Sequence, residues 1–281
     1  MLAIIGGIGA AFCFGASTLC SSRSTKLIGS PSVVAWMMLV GLLAVLPPLL
    51  GGGVPAALDG RTGFWLVLSG VCNVAGLLVI YVALQVEKVG IVAPISSTEG
   101  AIAALIAVAA GEAIARRTGL ALAVIVLGIV LSGIVRSETV EHRHGRRGAL
   151  LALLAAAFFG LGLYATGRVG TDLPLVWAVL PPRLAGVVLV TVPLAATSRL
   201  RLTVRALPLV FAAGLAEVVG FGSFAFGARH GIAVSAVLAS QFAAVAAVGG
   251  YLLFGERLTR VQLIGVVLIL LGVATLTALT A

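Results

Sequence analysis

Residues 159–168 read Phe-Gly-Leu-Gly-Leu-Tyr-Ala-Thr-Gly-Arg, and residues 14–23 read Phe-Gly-Ala-Ser-Thr-Leu-Cys-Ser-Ser-Arg. Each opens on Phe-Gly, and each reaches an Arg nine residues after the Phe. Further pairs follow in the same order along the chain. Asn73-Val74-Ala75-Gly76 is answered by Glu217-Val218-Val219-Gly220. Gly111-Glu112, with Gly128 sixteen residues past the Glu, is answered by Gly255-Glu256, with Gly272 at the same spacing. Glycine is frequent, 36 of 281 residues, so any single match carries little. Four matches in one order mark an internal duplication, and periodic self-similarity has to be read before anything else about a fold.

The duplicated sequence is apolar throughout. Hydrophobic residues make up 61% and charged residues 10% of the chain, and the mean hydropathy is +1.23. A soluble domain has about 45–50% apolar and about 25% charged residues. A soluble enzyme, a disordered chain and a secreted disulfide scaffold are excluded on that ground. The fold class is an all-α polytopic membrane protein. Apolar runs long enough to span, about 20 residues each, number ten. They cover roughly 2–20, 32–50, 64–84, 91–110, 119–135, 149–167, 176–196, 206–226, 232–254 and 261–279. The N-terminal run has no basic residue before Arg23, so it reads as the first span and not as a cleavable signal.

The polar stretch from Arg136 to Arg147 sits at mid-chain. The domains are therefore a first five-helix repeat at 1–135, a charged linker at 136–148 and a second five-helix repeat at 149–281. Five is odd, so two such repeats lie in opposite orientations. Inverted repeats are typical of secondary transporters, whose site lies near the bilayer midplane between the halves.

The net charge of +9 and pI of about 10.7 do not indicate nucleic acid, because the basic residues sit in loops and at span ends. Loops after odd-numbered spans hold twelve: Arg23, Lys26, Lys88, Arg136, Arg143, Arg146, Arg147, Arg199, Arg201, Arg205, Arg257 and Arg260. The other side holds five: Arg61, Arg116, Arg117, Arg168 and Arg229. The positive-inside bias places both termini outside the cytoplasm. Cys13, Cys20 and Cys72 have neither metal spacing nor a disulfide framework.

Gly-Glu-Arg-Leu-Thr-Arg-Val-Gln-Leu-Ile-Gly at 255–265, followed by an apolar helix with Gly272, resembles the end of an EamA-type domain. Ten helices in two halves, each with an aromatic-Gly pair in its first helix, look like the drug/metabolite transporter superfamily. The resemblance covers nearly the whole chain. It implies a carrier of small solutes, relatives of which export amino acids and drugs or carry sugars and nucleotide sugars. It also implies a pathway between helices 1–4 and 6–9, with helices 5 and 10 outside or at the interface. There are departures. The family often has Trp-Gly where this chain has Phe14-Gly15 and Phe159-Gly160. An Arg common in the second and seventh helices is present as Arg183 but replaced near Met38. The fourth span is also about a turn shorter than the ninth.

An ionisable group at the bilayer centre costs roughly 2.5–3.5 kcal/mol on insertion scales, which makes it a functional candidate by default. Glu99, in Ser96-Ser97-Thr98-Glu99-Gly100, reads as a cavity carboxylate that takes up a proton or meets a cationic group. Its structural alternative is a carboxyl bonded by hydroxyls across a helix contact. Glu217, at the repeat position of Asn73, is either a second cavity carboxylate or a buried partner of Arg183. Arg183 is either a fork for a substrate carboxylate or the counter-ion of Glu217 or Glu99. Pro181-Pro182 just before it should break or kink the seventh span. Asn73, Gln241 and Tyr164 are candidate cavity donors, with Gln241 the counterpart of Glu99. Trp177, with Trp36, stacks on substrate or anchors at the membrane interface. Glu112 and Glu256 read as caps of the helices that follow them, or as partners of loop arginines such as Arg116 and Arg260. His142, His144 and His230 read as solvated loop residues.

There is no Walker-type loop, no Gly-x-Ser-x-Gly and no His-Glu-x-x-His. The chain is not an enzyme by this reading, and it has no cofactor, no catalytic residue and no metal. The function expected is alternating-access secondary transport of small metabolites, amino acids or related polar solutes, outward and coupled to protons. The location is the plasma (inner) membrane, and the molecule is a monomer, with a dimer as the alternative. Other readings are a proton-independent facilitator or exchanger for sugars or cationic drugs, and a non-transport membrane scaffold.

Overall fold

A computed structural model describes residues 1–86, 92, 95–133, 145–254 and 260–280, and among them the chain is helical with no strand. In hydrocarbon every backbone amide has to be satisfied within its own segment, and an α-helix does this. The elements are α1 (Leu2–Ile28), α2 (Ser30–Gly52), α3 (Gly60–Val86), α4 (Glu99–Ala109), α5 (Arg116–Gly133) and α6 (Gly145–Asp172). α7 runs Leu175–Ala196, and α8 (Leu207–Ala228), α9 (Ile232–Ala239), α10 (Phe242–Phe254) and α11 (Arg260–Thr280) follow. Among the described residues seven helices are long and apolar enough to cross a membrane, with two shorter apolar helices at Glu99–Ala109 and Leu263–Leu276. The protein is therefore a multi-pass membrane protein.

The chain buries small residues and exposes large ones. α1 turns Ala3, Gly6, Gly7, Ala10, Ala11, Gly15 and Ser17 inward, while Ile5, Phe12, Leu43, Leu50, Leu150 and Leu270 are exposed. This suits a lipid solvent, where close backbone approach and dispersion hold helices together and exposure of Leu costs nothing. Helix ends carry conventional signals. Gly29 and Gly53 adopt φ of 82° and 66°, a region open to glycine. Before α3, the Thr62 N–H donates to Asp59 Oδ1 and the Asp59 N–H donates to Thr62 Oγ1, a reciprocal cap. The Thr62 backbone N–H, together with the Thr62 hydroxyl, holds the Asp59 carboxyl below its ordinary range.

Packing is paired across the sequence. α1 lies on α8, and α6 lies on α3. α1 also touches α9 and α10, as α6 touches α4. α2 meets α8, and α7 meets α3. α2 crosses α7, α4 crosses α9 and α5 crosses α11. The side chains repeat the pairing. A Cβ on Gly220 would lie 2.6 Å from the Phe14 ring, and one on Gly76 would lie 2.6 Å from the Phe159 ring. Arg183 fills the space over Gly41, and Met38 fills the space over Gly186.

Two expectations need correction. Pro181 and Pro182 do not break their helix, which runs regularly to Gly186 and then winds as a π-turn over Val187–Thr191 before ending at Ala196. The prolines leave the carbonyls of Trp177 and Ala178 without their i+4 donors, and the irregular turn follows Arg183 rather than preceding it. The ninth span is interrupted at Ser240-Gln241, which form a turn between α9 and α10. Arg23, Lys26 and Arg168 lie inside helices α1 and α6 rather than in loops. Glu256, Arg257, Lys88, Arg136, Arg143, His142 and His144 lie outside the described residues. Cys13, Cys20 and Cys72 are free thiols.

Candidate functional site

A cavity of about 230 Å³ lies where both halves meet. α1 contributes Phe14 and Thr18, α2 Met38, and α3 Ser69, Asn73, Leu77 and Ile80. Glu99 enters from α4, Phe159 and Thr166 from α6, Glu217 and Phe221 from α8, and Phe242 from α10. The walls are largely aromatic and aliphatic, with a few convergent polar groups, the usual make-up of a small-molecule site.

Glu99 is the first residue of α4, just after a turn at Ser97-Thr98. A carboxylate is favoured by the helix dipole at that position. Glu99 is half-buried, and among the described residues no basic side chain pairs with it. Gln241, its repeat counterpart, sits at the matching interruption between α9 and α10. It is buried, and its Nε2 has no partner, but it is not part of the cavity lining. Interrupted helices facing a cavity supply polar backbone and side chains at a depth where continuous helices do not.

Asn73 lines the cavity, and its Oδ1 is buried with no partner. Glu217 also lines it, at 22% side-chain exposure, and its Oε2 accepts from Arg183 Nη1 at 2.6 Å. Glu217 thus faces the cavity and is ion-paired to Arg183 at once. Arg183 itself is 0% exposed and absent from the lining. Its Nη1 also reaches Met38 Sδ at 3.4 Å, its guanidinium lies 4.9 Å from the centre of the Phe221 ring, and its Nε and Nη2 have no partner. Of the roles open to it, the structure places it as counter-ion of Glu217, behind Met38 and Phe221.

Tyr164 and Trp177 lie elsewhere. Tyr164 is buried edge-on against Trp65, 5.6 Å between ring centres, and faces a second, polar pocket with Arg168, Thr171, Arg229 and His230. Trp177 packs beside Val169, Leu173, Ala178 and Ala225 and borders an apolar groove with Leu66 and Val67. Trp36 donates its ring N–H to the Arg201 carbonyl at 2.9 Å, tying α2 to the loop before α8, as an interfacial anchor does. Sequence reasoning missed the cavity role of Phe14, Phe159, Phe221 and Phe242. The signal was present for two of them, the repeated Phe-Gly pairs. It also missed the buried hydroxyl pair Ser69–Thr166, 2.7 Å apart, joining α3 to α6 at the cavity wall.

At the end of the bundle near Met1 the two halves are joined by backbone contact and by one carboxylate. Gly6 lies directly against Gly227, and the Ser235 hydroxyl donates to the Ala3 carbonyl. Arg229 donates to the Gly170 and Leu173 carbonyls. Glu112 does not cap the helix after it. It reaches into the other half, where its carboxylate accepts from the Ile232 and Ala233 N–H groups at 3.1 Å and caps α9. Losing a helix cap costs about 0.5–2 kcal/mol. In Glu112→Ala, amide exchange over Ile232–Ala239 should therefore rise about 2–30-fold, with Glu112→Gln in between. Unchanged exchange in the Ala variant would show that the carboxylate does not hold this end.

No curated protein matches the chain significantly. Among solved structures 29 chains match. One, titled only "Crystal structure of protein", superposes with a TM-score of 0.80 at 16% identity, covering 99% of this chain and 96% of its own. At that identity the likeness concerns the fold. The profile of the EamA-like transporter family matches residues 1–134 and again residues 146–278. The two matches span both copies of the duplication and the helices that line the cavity, so this chain belongs to the EamA-like transporter family.

Proposed function

We propose that the protein is a secondary transporter with ten membrane helices in two inverted five-helix repeats, at 1–135 and 149–281. It moves a small metabolite, from the class of amino acids and related polar solutes, outward across the plasma membrane by alternating access. A proton taken up by Glu99 drives the exchange. The observation that carries the reading is the cavity itself. Both halves wall it, Glu99 enters it with no counter-ion among the described residues, and Asn73, which also lines it, has a buried, unpartnered Oδ1. The pairwise packing α1–α8 with α6–α3, and α1–α9 with α6–α4, supports two halves that exchange roles about a twofold axis in the membrane plane. Glu217 is already neutralised by Arg183 at 2.6 Å, so Glu99 is the carboxylate free to alternate between a proton and a cargo. Both halves lie in one chain, so a monomer suffices.

With the termini outside, as the loop charges indicate, the Met1 end, where Gly6 meets Gly227, faces outward.

Solute-driven proton movement in liposomes holding the purified protein tests the reading. Wild type should move protons when a carried solute is added, and Glu99→Gln should move none while still exchanging labelled solute. Undiminished proton movement in Glu99→Gln would exclude this residue as the coupling site. Solute uptake with no proton movement in wild type would leave a facilitator.

A further inference from the structure

The charges and rings around the cavity narrow the cargo. Four phenylalanines line it, Phe14 from the first half and Phe159, Phe221 and Phe242 from the second, with Phe14 and Phe159 on the first helix of their halves. Phe14 and Phe221 meet edge to face with centres 5.1 Å apart. The Phe221 ring already carries a guanidinium over it, that of Arg183 at 4.9 Å. Aromatic faces attract cations, and more strongly when water is excluded. The polar groups point the same way. Glu99 has no basic partner among the described residues, and Asn73 presents an unpartnered buried acceptor. Arg183 is fully buried, spent on Glu217, and not on the wall. With Arg183 cancelling Glu217, the site carries, among the described residues, one carboxyl without a basic partner and no exposed cation to receive an anion.

From this the geometry points to an organic monocation as the preferred cargo: a primary amine or related ammonium with an apolar body and no carboxylate of its own. The ammonium is held by Glu99 and Asn73, and the body lies among the phenylalanines. A carboxylate on the cargo would meet Glu217 and Glu99 with no free positive group among the described residues to accept it, and like charges in a site of low dielectric repel. This inference rests on the reading of the cavity as the transport site, and it narrows amino acids and related polar solutes to amines lacking an acid.

A ligand series of constant body decides it: 2-phenylethylamine, phenylalanine and 3-phenylpropionate, measured by equilibrium binding to the purified full chain and by flux in liposomes. The amine should bind at least about tenfold more tightly than the zwitterion, and the anion should not compete. Glu99→Gln should weaken the amine about tenfold and leave the anion unchanged. Phe159→Leu should weaken the amine by a smaller factor. The comparison among ligands on wild-type protein stands even where a variant folds poorly. Equal or tighter binding of phenylalanine or 3-phenylpropionate overturns the inference, as does failure of the amine to bind at millimolar concentration. The two proposals fail separately. Amine that binds but does not cross removes the transport reading and leaves a cation site, whereas preferential flux of the zwitterion or anion keeps transport and removes the cation preference.

Discussion

Glu217→Asn should destabilise the protein by about 3–5 kcal/mol, and adding Arg183→Met should recover most of that loss. Arg183 is 0% exposed, and its single strong partner is Glu217 Oε2 at 2.6 Å. Removing the carboxylate leaves an uncompensated guanidinium in the protein interior, which accounts for the size of the penalty. Removing both charges is a different matter. A buried ion pair replaced by apolar groups of similar size is often neutral, because the desolvation of both partners disappears with them. The chain already contains such a solution. Met38 and Asn73 stand where Arg183 and Glu217 stand in the other half, and Met38 packs over Gly186 as Arg183 packs over Gly41. Arg183→Met alone should cost less than Glu217→Asn alone, since Glu217 keeps 22% exposure to the cavity. Thermal unfolding of the three variants in detergent measures the cycle. A Glu217→Asn protein as stable as wild type would mean that Arg183 finds another counter-charge or water.

Gly6→Val should arrest transport, lowering flux about 5–150-fold. A Cβ on Gly6 would stand 2.5 Å from Gly227 Cα and 2.6 Å from the Ser223 carbonyl oxygen. Both are backbone atoms that cannot rotate away, and overpacking of this kind costs about 1–3 kcal/mol. The penalty falls on the state in which α1 and α8 meet at the Met1 end, sealing it in the proposed cycle, so it biases that cycle rather than merely loosening the fold. Gly222→Ala on α8 is the control, because nothing lies within 4 Å of its Cβ, and it should transport normally. Wild-type flux in Gly6→Val would show that the sealed end is not a station of the cycle.

Much of this was legible in the sequence. Length of apolar runs fixes spans because a bilayer sets a ruler. The Phe-Gly pairs survive duplication because their glycines are contact points, Gly15 against Val245 and Gly160 against Ile102, as are Gly220 under Phe14 and Gly76 under Phe159. The Arg183–Glu217 pair was legible as one of two readings, since a buried charge needs a partner. Other features were not. Glu112 caps a helix 120 residues away, and local spacing names only the nearer helix as its target. The break at Ser240-Gln241 carries neither Gly nor Pro. Its only mark is two adjacent polar residues in an apolar run, matched by Ser97-Thr98 before Glu99. Pro181-Pro182 misled because a helix can absorb lost donors by widening a later turn, here over Val187–Thr191. Tyr164 and Trp177 misled because a span has several faces, and position along it does not say which one a ring occupies.

The exchange of Met38 for Arg183 across otherwise matched helices has a further meaning under the proposed alternating cycle. Two identical arms related by a twofold axis would make the inward and outward shapes mirror versions of one structure, equal in energy and equally populated. An ion pair carried by one arm alone breaks that degeneracy, like a weight on one side of a balance. The resting posture of the carrier is then written in the few places where its halves disagree, and moving the pair from one arm to the other would tip it the opposite way.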